Sequence, residues 1–316
     1  MNDTRATFKP RDVEEPIDYW VNRPLAGILV KGLAPLPITP NQVTVLSGLV
    51  GIAAGAVIAT APLDSLWQVP VGGAVLYLSV LLDCADGQLA RLRGTSSLVG
   101  RFLDGCVDVA SCGAAFLGFA ILMYRSGIGF WPINIFGWAA GYAMKWHVHG
   151  YDHAKNLYLA NTRPESERAR AFPTIEEIRT EQARLLAEGD KLGAMVVGGF
   201  VRFTNSQRQG WQLGRIGLGV QGARDDRERA LYAARFGTTM KLWTWNGLGL
   251  HLVMWVVACL ITPYFHWACI VVCFVYLVPM NALTVYILRK ERSLERSLQA
   301  DLGRLADGSP ARAVTP

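Results

Sequence analysis

The sequence predicts an all-α integral membrane protein, with six transmembrane helices preceded by an N-terminal interfacial amphipathic helix. Three observations predict it. Hydrophobic residues make up 51% of the 316, mean hydropathy is +0.24 and only 18% are charged, whereas a soluble domain carries about a quarter charged residues. The apolar residues are blocked into stretches of roughly 20, the length that crosses a hydrocarbon core. Basic residues gather on one side of those stretches, as a cytoplasmic bias requires.

The first element is a helix lying in the interface over residues 15–38. Tyr19, Trp20, Leu25, Ile28 and Leu29 offer an apolar face, with Arg23 and Lys31 expected to reach headgroups. Pro35, Pro37 and Pro40 interrupt it, and Thr39 or Asn41 can cap the first span. Spans are expected at about 42–61, 67–90, 101–124, 128–148, 242–262 and 266–288. The loops at 62–66 and 263–265 hold no Lys or Arg, and 125–127 holds only Arg125. On the other side stand Arg5, Lys9, Arg11, Arg23 and Lys31, then Arg91 and Arg93, then Arg289, Lys290 and Arg292. Both termini are therefore expected in the cytoplasm, at a bacterial plasma membrane. The net charge of +6 becomes a topology signal and an attraction to anionic lipid, so no nucleic-acid partner is expected.

This gives a cytoplasmic N-terminus and interfacial helix at 1–40 and spans one to four at 41–149. A cytoplasmic or interfacial insertion follows at 150–240, then spans five and six at 241–290 and a cytoplasmic tail at 291–316. Within the insertion, Thr174 to Lys191 is charged and helix-forming, and Gly193 to Gly222 is glycine-rich, aromatic and basic. The tail beyond Arg304 is expected to be disordered. Met1 to Pro24 is polar and charged, so a cleavable signal peptide is not expected. Cys84, Cys106, Cys112, Cys259, Cys269 and Cys273 lie in apolar stretches without ligand spacing and read as small buried side chains.

Spans two and three, with their junction, hold Asp83, Asp86, Asp104 and Asp108. A carboxylate inside a membrane span costs several kcal/mol unless paired or hydrated. Asp83, Asp86, Gly87 and Ala90 share one helical face, and Gly100, Asp104 and Asp108 share another. The short turn around Gly94 makes the two spans antiparallel neighbours whose acidic faces can meet. Carboxylates at close range need a counter-charge. Hard divalent ions take oxygen ligands together with substrate phosphates, so one or two Mg²⁺ or Mn²⁺ ions are expected. Such ions polarise a diphosphate and stabilise its leaving group. Arg91, Arg93 and Arg101 can add positive charge at the rim.

The run Asp83-Cys84-Ala85-Asp86-Gly87-Gln88-Leu89-Ala90-Arg91, followed by Gly100, Asp104 and Asp108, resembles the signature of the CDP-alcohol phosphotransferase (CDP-alcohol phosphatidyltransferase) family, D-x2-D-G-x2-A-R-x8-G-x3-D-x3-D. All eight fixed positions are met over 26 residues. Pro37 to Thr44 also resembles the entry to that family's first span. The resemblance implies that Asp83, Asp86 and Asp104 bind metal, and that Asp108 is the general base, touching a second ion. It implies a CDP site shaped by Asp83, Gly87, Ala90, Arg91 and Gly100. It further implies a CDP-linked donor, an alcohol acceptor, CMP release, a polar cavity open to the cytoplasm, and a homodimer. Donor and acceptor stay open, CDP-diacylglycerol or a soluble CDP-alcohol on one side, and glycerol phosphate, an inositol compound, serine or a lipid alcohol on the other.

Two other readings use intramembrane carboxylates. A Mg-dependent prenyltransferase carries two DxxD motifs on separate helices, and the second is missing here. A transporter or scaffold would use the aspartates as an ion path or packing network. Arg93, Arg101, His149, Asn246 and His251 are candidates for the acceptor pocket. His147, His149 and His153 can also form an interfacial cluster or a separate metal site. Trp243, Trp245, Trp255, Trp267 and Tyr264 are expected as interface anchors.

Overall fold

The computed structural model describes residues 10–64, 66–95, 97–164, 175–191, 193–199, 201 and 225–306. These are helices and their connections, with no strand among the described residues. A wide turn at Asp18–Asn22 leads into α1, Arg23–Leu33. Helix α2, Pro40–Ala59, starts with a capping box: the Thr39 amide donates to Gln42 Oε1 at 2.8 Å and the Gln42 amide donates to Thr39 Oγ1 at 3.3 Å. Proline at its first position gives up no needed amide. Helix α3, Gln68–Arg93, stops at Gly94, whose φ of 65° is left-handed. Ser97 then caps α4, Leu98–Arg125, accepting from the Gly100 amide at 3.0 Å.

The remaining elements are α5, Phe130–Thr162; α6, Ile175–Ala187; α7, Asp226–Trp243; α8, Leu248–Ile261; α9, Ala268–Val275; and α10, Asn281–Ala306. A tight turn at Thr244–Asn246 separates α7 from α8, and a wide turn at Tyr276–Met280 separates α9 from α10. Pro279 lies in the latter, where its missing amide cannot serve a regular ladder.

Among the described residues, five stretches are long and apolar enough to cross a membrane: Pro40–Ala59, Gln68–Arg93, Val99–Arg125, Asp226–Ile261 and Ala268–Leu298. The expected fourth span falls inside α5, which is not one of the five. Lys145, His147 and His149 dilute its apolar run.

By its contacts the chain divides into two units. The first runs to Trp146 and resumes at Leu248–Met280. Its organiser is α2, which packs along both α3 and α4, whereas α3 and α4 touch each other only briefly. Small residues allow this. A Cβ at Gly51 would lie 2.5 Å from Ser111 Oγ, one at Gly55 would lie 2.3 Å from the Ala114 carbonyl oxygen, and one at Gly118 would lie 2.4 Å from that of Gly55. Close backbone approach of this kind is how helices associate where lipid removes the hydrophobic drive. Helix α8 packs on α3 through Gly73, where a Cβ would meet Cys259 Cβ at 2.5 Å. The Glu15 carboxylate caps α8, accepting from the Leu250 amide at 3.0 Å.

Three expectations in this unit change. Arg23 does not reach toward headgroups: it is buried and ion-paired with Glu14, so burial, which would lower its pKa, is outweighed by the carboxylate and the pKa is raised. The outward face of this segment consists of Trp20, Leu25 and Ile28. Trp255 is no surface anchor either, because it packs against Phe116, Phe119 and Tyr276. Trp267 and Tyr264 are exposed. Finally, Cys106 is exposed, not buried.

The second unit comprises His147–Gly247 and the chain from Asn281. Helices α7 and α10 pack together through buried polar pairs. The Trp243 indole donates to Glu291 Oε1 at 2.9 Å, the Asn246 amide donates to Thr284 Oγ1 at 3.0 Å, and Arg235 pairs with Asp301. Trp243 is fully buried and so is not an anchor, whereas Trp245 is exposed. His147 lies 3.0 Å from Asn281 Oδ1. The expected glycine-rich passage lies mostly, and the tail beyond residue 306 wholly, outside the described residues.

Candidate active site

The i, i+3 spacing of Asp83 and Asp86 on α3, and the i, i+4 spacing of Asp104 and Asp108 on α4, fix which side each carboxylate faces. The structure brings three of the four together. Asp83, Asp86 and Asp104 each offer an oxygen, and these oxygens lie within 4.8 Å of one another. Asp83 and Asp104 are in hydrogen-bonding reach, and Asp83 also lies in the field of Asp108. Asp108 stands beside the trio rather than within it.

The donor set suits a hard cation. Asp83 Oδ1 and Asp86 Oδ2 are buried and accept no hydrogen bond. Buried oxygens of this kind normally find a partner, and carboxylates that are all ionised cannot satisfy one another. A divalent ion with oxygen preference meets that need.

Around the trio, the small motif residues sit where neighbours come close. At Gly87 a Cβ would lie 3.3 Å from Arg91 Nη1, so the glycine leaves room for the guanidinium over the helix. At Gly100 a Cβ would lie 2.8 Å from Asn41 Oδ1, so the amide of Asn41 at the start of α2 occupies that space. Ala90 is half-buried, and its carbonyl accepts from the Thr95 amide at 3.0 Å as α3 ends.

One contributor was missed in the sequence. Thr44 of α2 lies beside Asp86 and donates its hydroxyl proton to the Pro40 carbonyl at 3.1 Å. Its position one turn into α2, beside Asn41, was the available signal.

The acceptor candidates scatter. Arg93 faces away to the α1–α2 connection, donating to the carbonyls of Ala34 at 3.0 Å, Leu36 at 2.9 Å and Ile38. Arg101 is exposed near the start of α4. His251 is fully buried, its ring 4.8 Å from that of Tyr276, whose hydroxyl donates to the His251 carbonyl at 2.9 Å. His149 and Asn246 belong to the second unit. Among the described residues, His147, His149 and His153 form no group able to share an ion.

Residues 37–145 match the family described as CDP-alcohol phosphatidyltransferase. A phosphatidylinositol phosphate synthase from Streptomyces avermitilis is 36% identical over 104 residues, covering 33% of this chain and 38% of the relative. An archaetidylinositol phosphate synthase from Pyrococcus horikoshii is 36% identical over 101 residues, covering 32% and 50%. A bifunctional IPC transferase and DIPP synthase from Thermococcus kodakarensis is 37% identical over 71 residues, covering 22% and 15%. This chain thus spans half or less of the length of these curated relatives. Residues 37–145, which match that family's domain, hold α2, α3, α4 and every carboxylate of the trio.

Proposed function

We propose that the protein transfers a substituted phosphate group from a CDP-linked donor to an acceptor hydroxyl and releases CMP, in a divalent-metal-dependent reaction of phospholipid synthesis. The observation that carries this reading is the convergence of Asp83, Asp86 and Asp104 within 4.8 Å, with two buried oxygens unsatisfied, inside a family-matched domain. In this reading the three carboxylates hold Mg²⁺ or Mn²⁺, as one ion or two. The ion, when bound, neutralises and polarises the donor diphosphate so that CMP can leave. Thr44 flanks Asp86 from α2. Asp108, one turn beyond Asp104 on α4, takes the proton of the acceptor hydroxyl. Gly87, Ala90 and Gly100 keep side-chain bulk away from the nucleotide, and Arg91 meets phosphate oxygens.

Two relatives are named for making inositol phosphate lipids. Their names favour a CDP-lipid donor and a phosphorylated inositol acceptor. A soluble CDP-alcohol donor is the second reading. His149, Asn246, His251 and Arg101 remain the candidates for reading the acceptor. We place the chain in a bacterial plasma membrane with both termini cytoplasmic, count α5 as a sixth span, lay α1 in the interface and pair the protein as a homodimer.

The test is CMP release by purified protein with Mg²⁺ or Mn²⁺ and panels of donors and acceptors. Metal-dependent CMP from CDP-diacylglycerol plus inositol phosphate is the expected result. CMP from no CDP compound, with either metal, would overturn the assignment.

A further inference from the structure

Of the two basic residues expected at lipid headgroups, Arg23 is buried. Arg11 is exposed, and among the described residues its side chain has no carboxylate partner. What it meets is aromatic. Its guanidinium carbon lies 5.6 Å from the ring centre of Tyr19 and 5.6 Å from that of Trp20, within cation–π reach of both. The two rings stand 5.1 Å apart and nearly perpendicular, at 82°. Consecutive side chains on a regular helix do not face one another. These two lie in the wide turn at Asp18–Asn22, where the usual helical period is interrupted.

The residues just after Arg11 hold it there. The Val13 amide donates to the Pro10 carbonyl at 3.1 Å and closes a turn. Val13, Glu14 and Glu15 are all buried. Glu14 pairs with Arg23, and Glu15 caps α8, so the chain is pinned directly behind the arginine. Rings take the flat face of a guanidinium and leave its N–H edge for an acceptor.

The setting says which acceptor. Trp20, 66% exposed, begins an apolar strip that Leu25 and Ile28 continue along α1, and exposed Lys31 lies beyond it. The other side of α1 clusters Ala26 and Val30 with Leu82, Ala85 and Leu89, near the C-terminal end of a stretch apolar enough to cross a membrane. An apolar strip beside such an end, with a cation at each extremity, fits lipid: acyl chains against the strip and phosphates against the cations.

We propose that Arg11, Tyr19 and Trp20 form a headgroup site for the phosphate of an anionic phospholipid, whose chains lie on Leu25 and Ile28. The two rings fix the guanidinium plane, so the phosphate meets a presented edge. This site rests on the reading that α1 lies in the interface and is independent of the CMP chemistry.

The experiment uses the full chain in nanodiscs of phosphatidylcholine, alone or mixed with phosphatidylglycerol. Phenylglyoxal labelling of Arg11 is followed by mass spectrometry. A trace of phosphatidylcholine with a photoreactive acyl chain reports, by its crosslinks, whether α1 touches lipid. Phosphatidylglycerol is expected to slow Arg11 labelling about fivefold, the share of one basic residue in attraction to an anionic surface. Inorganic phosphate added to phosphatidylcholine discs should not slow it. Trp20→Leu keeps an apolar contact but removes the indole; it should lose most of the protection while melting like the parent. Should it not fold, Tyr19→Leu tests the other ring in the same way. Equal labelling in the two kinds of disc would overturn the proposal. So would equal slowing by inorganic phosphate, or full protection in the leucine variant, which would mean surface charge alone. Crosslinks at Leu25 or Ile28 without charge-dependent protection would sink the headgroup site and leave α1 in the interface. Crosslinks at neither, with no protection, would sink both.

Discussion

Gly118 of α4 lies against Gly55 of α2 so closely that a Cβ at 118 would sit 2.4 Å from the Gly55 carbonyl oxygen. Backbone meets backbone there, so no rotamer change can relieve an added methyl. Gly118→Ala is expected to lower stability by about 1–3 kcal/mol and Gly118→Leu by more. The melting temperature in detergent measures it, and an unchanged melt for Gly118→Leu would mean the two helices are not held this close.

Asp104→Asn removes one charge from a trio of carboxylates that repel one another. Without divalent ions the variant should melt higher than the parent. With Mg²⁺ or Mn²⁺ the order should reverse, because binding to the folded state stabilises the parent. Activity should fall by about 100-fold or more, in line with the loss of several kcal/mol of electrostatic stabilisation. A variant that still gains stability on adding metal would argue against a ligand role for Asp104.

Metal removal gives a second view of the same site. Treatment with EDTA should abolish CMP release and lower the melting temperature, and either Mg²⁺ or Mn²⁺ should restore both. Calcium is expected to restore melting better than activity, since its coordination is larger and looser.

Arg93 ties the end of α3 to the connection between α1 and α2 by donating to Ala34, Leu36 and Ile38. Arg93→Ala leaves those carbonyls without a donor, which costs roughly 1–3 kcal/mol where they are buried. Limited proteolysis should then cut near Leu36, with acceptor KM unaltered. A raised acceptor KM at unchanged stability would return Arg93 to the substrate pocket.

In α6, Arg184 hydrogen-bonds Glu181 and holds the Glu181 pKa below its ordinary 4.5. A depressed folded-state pKa stabilises above the unfolded value, and that contribution is lost as pH falls through the folded value. The pair is largely exposed, so solvent screening keeps the effect small. Glu181→Gln should flatten the acid side of the stability profile, read by amide exchange in α6.

The aspartate trio was legible because its spacing is a helix period and its cost in lipid demands a partner. The role of α2 was not. Adjacency in sequence suggested that α3 and α4 face each other directly, whereas Gly48, Gly51 and Gly55 let α2 pack along both. A glycine stripe states that something comes close without saying which helix. Arg23 misled because its partner Glu14 lies nine residues away and no helix period links them. Trp243 and Trp255 read as anchors since tryptophan favours interfaces. Their burial depends on Glu291, Phe116 and Phe119, which lie far off in sequence. The turn at Thr244–Asn246 was hidden inside an apolar run.

The central place of α2 sets an order of assembly. It precedes both of its neighbours in the chain, so it leaves the ribosome ahead of α3 and α4. Its bare glycine seam must wait in the bilayer for α3 and then α4 to close on it. Asp83 and Asp86 on α3 reach the membrane ahead of Asp104 on α4, so each newborn chain passes through a stage with two carboxylates of the three. Any delay in inserting α4 prolongs that stage.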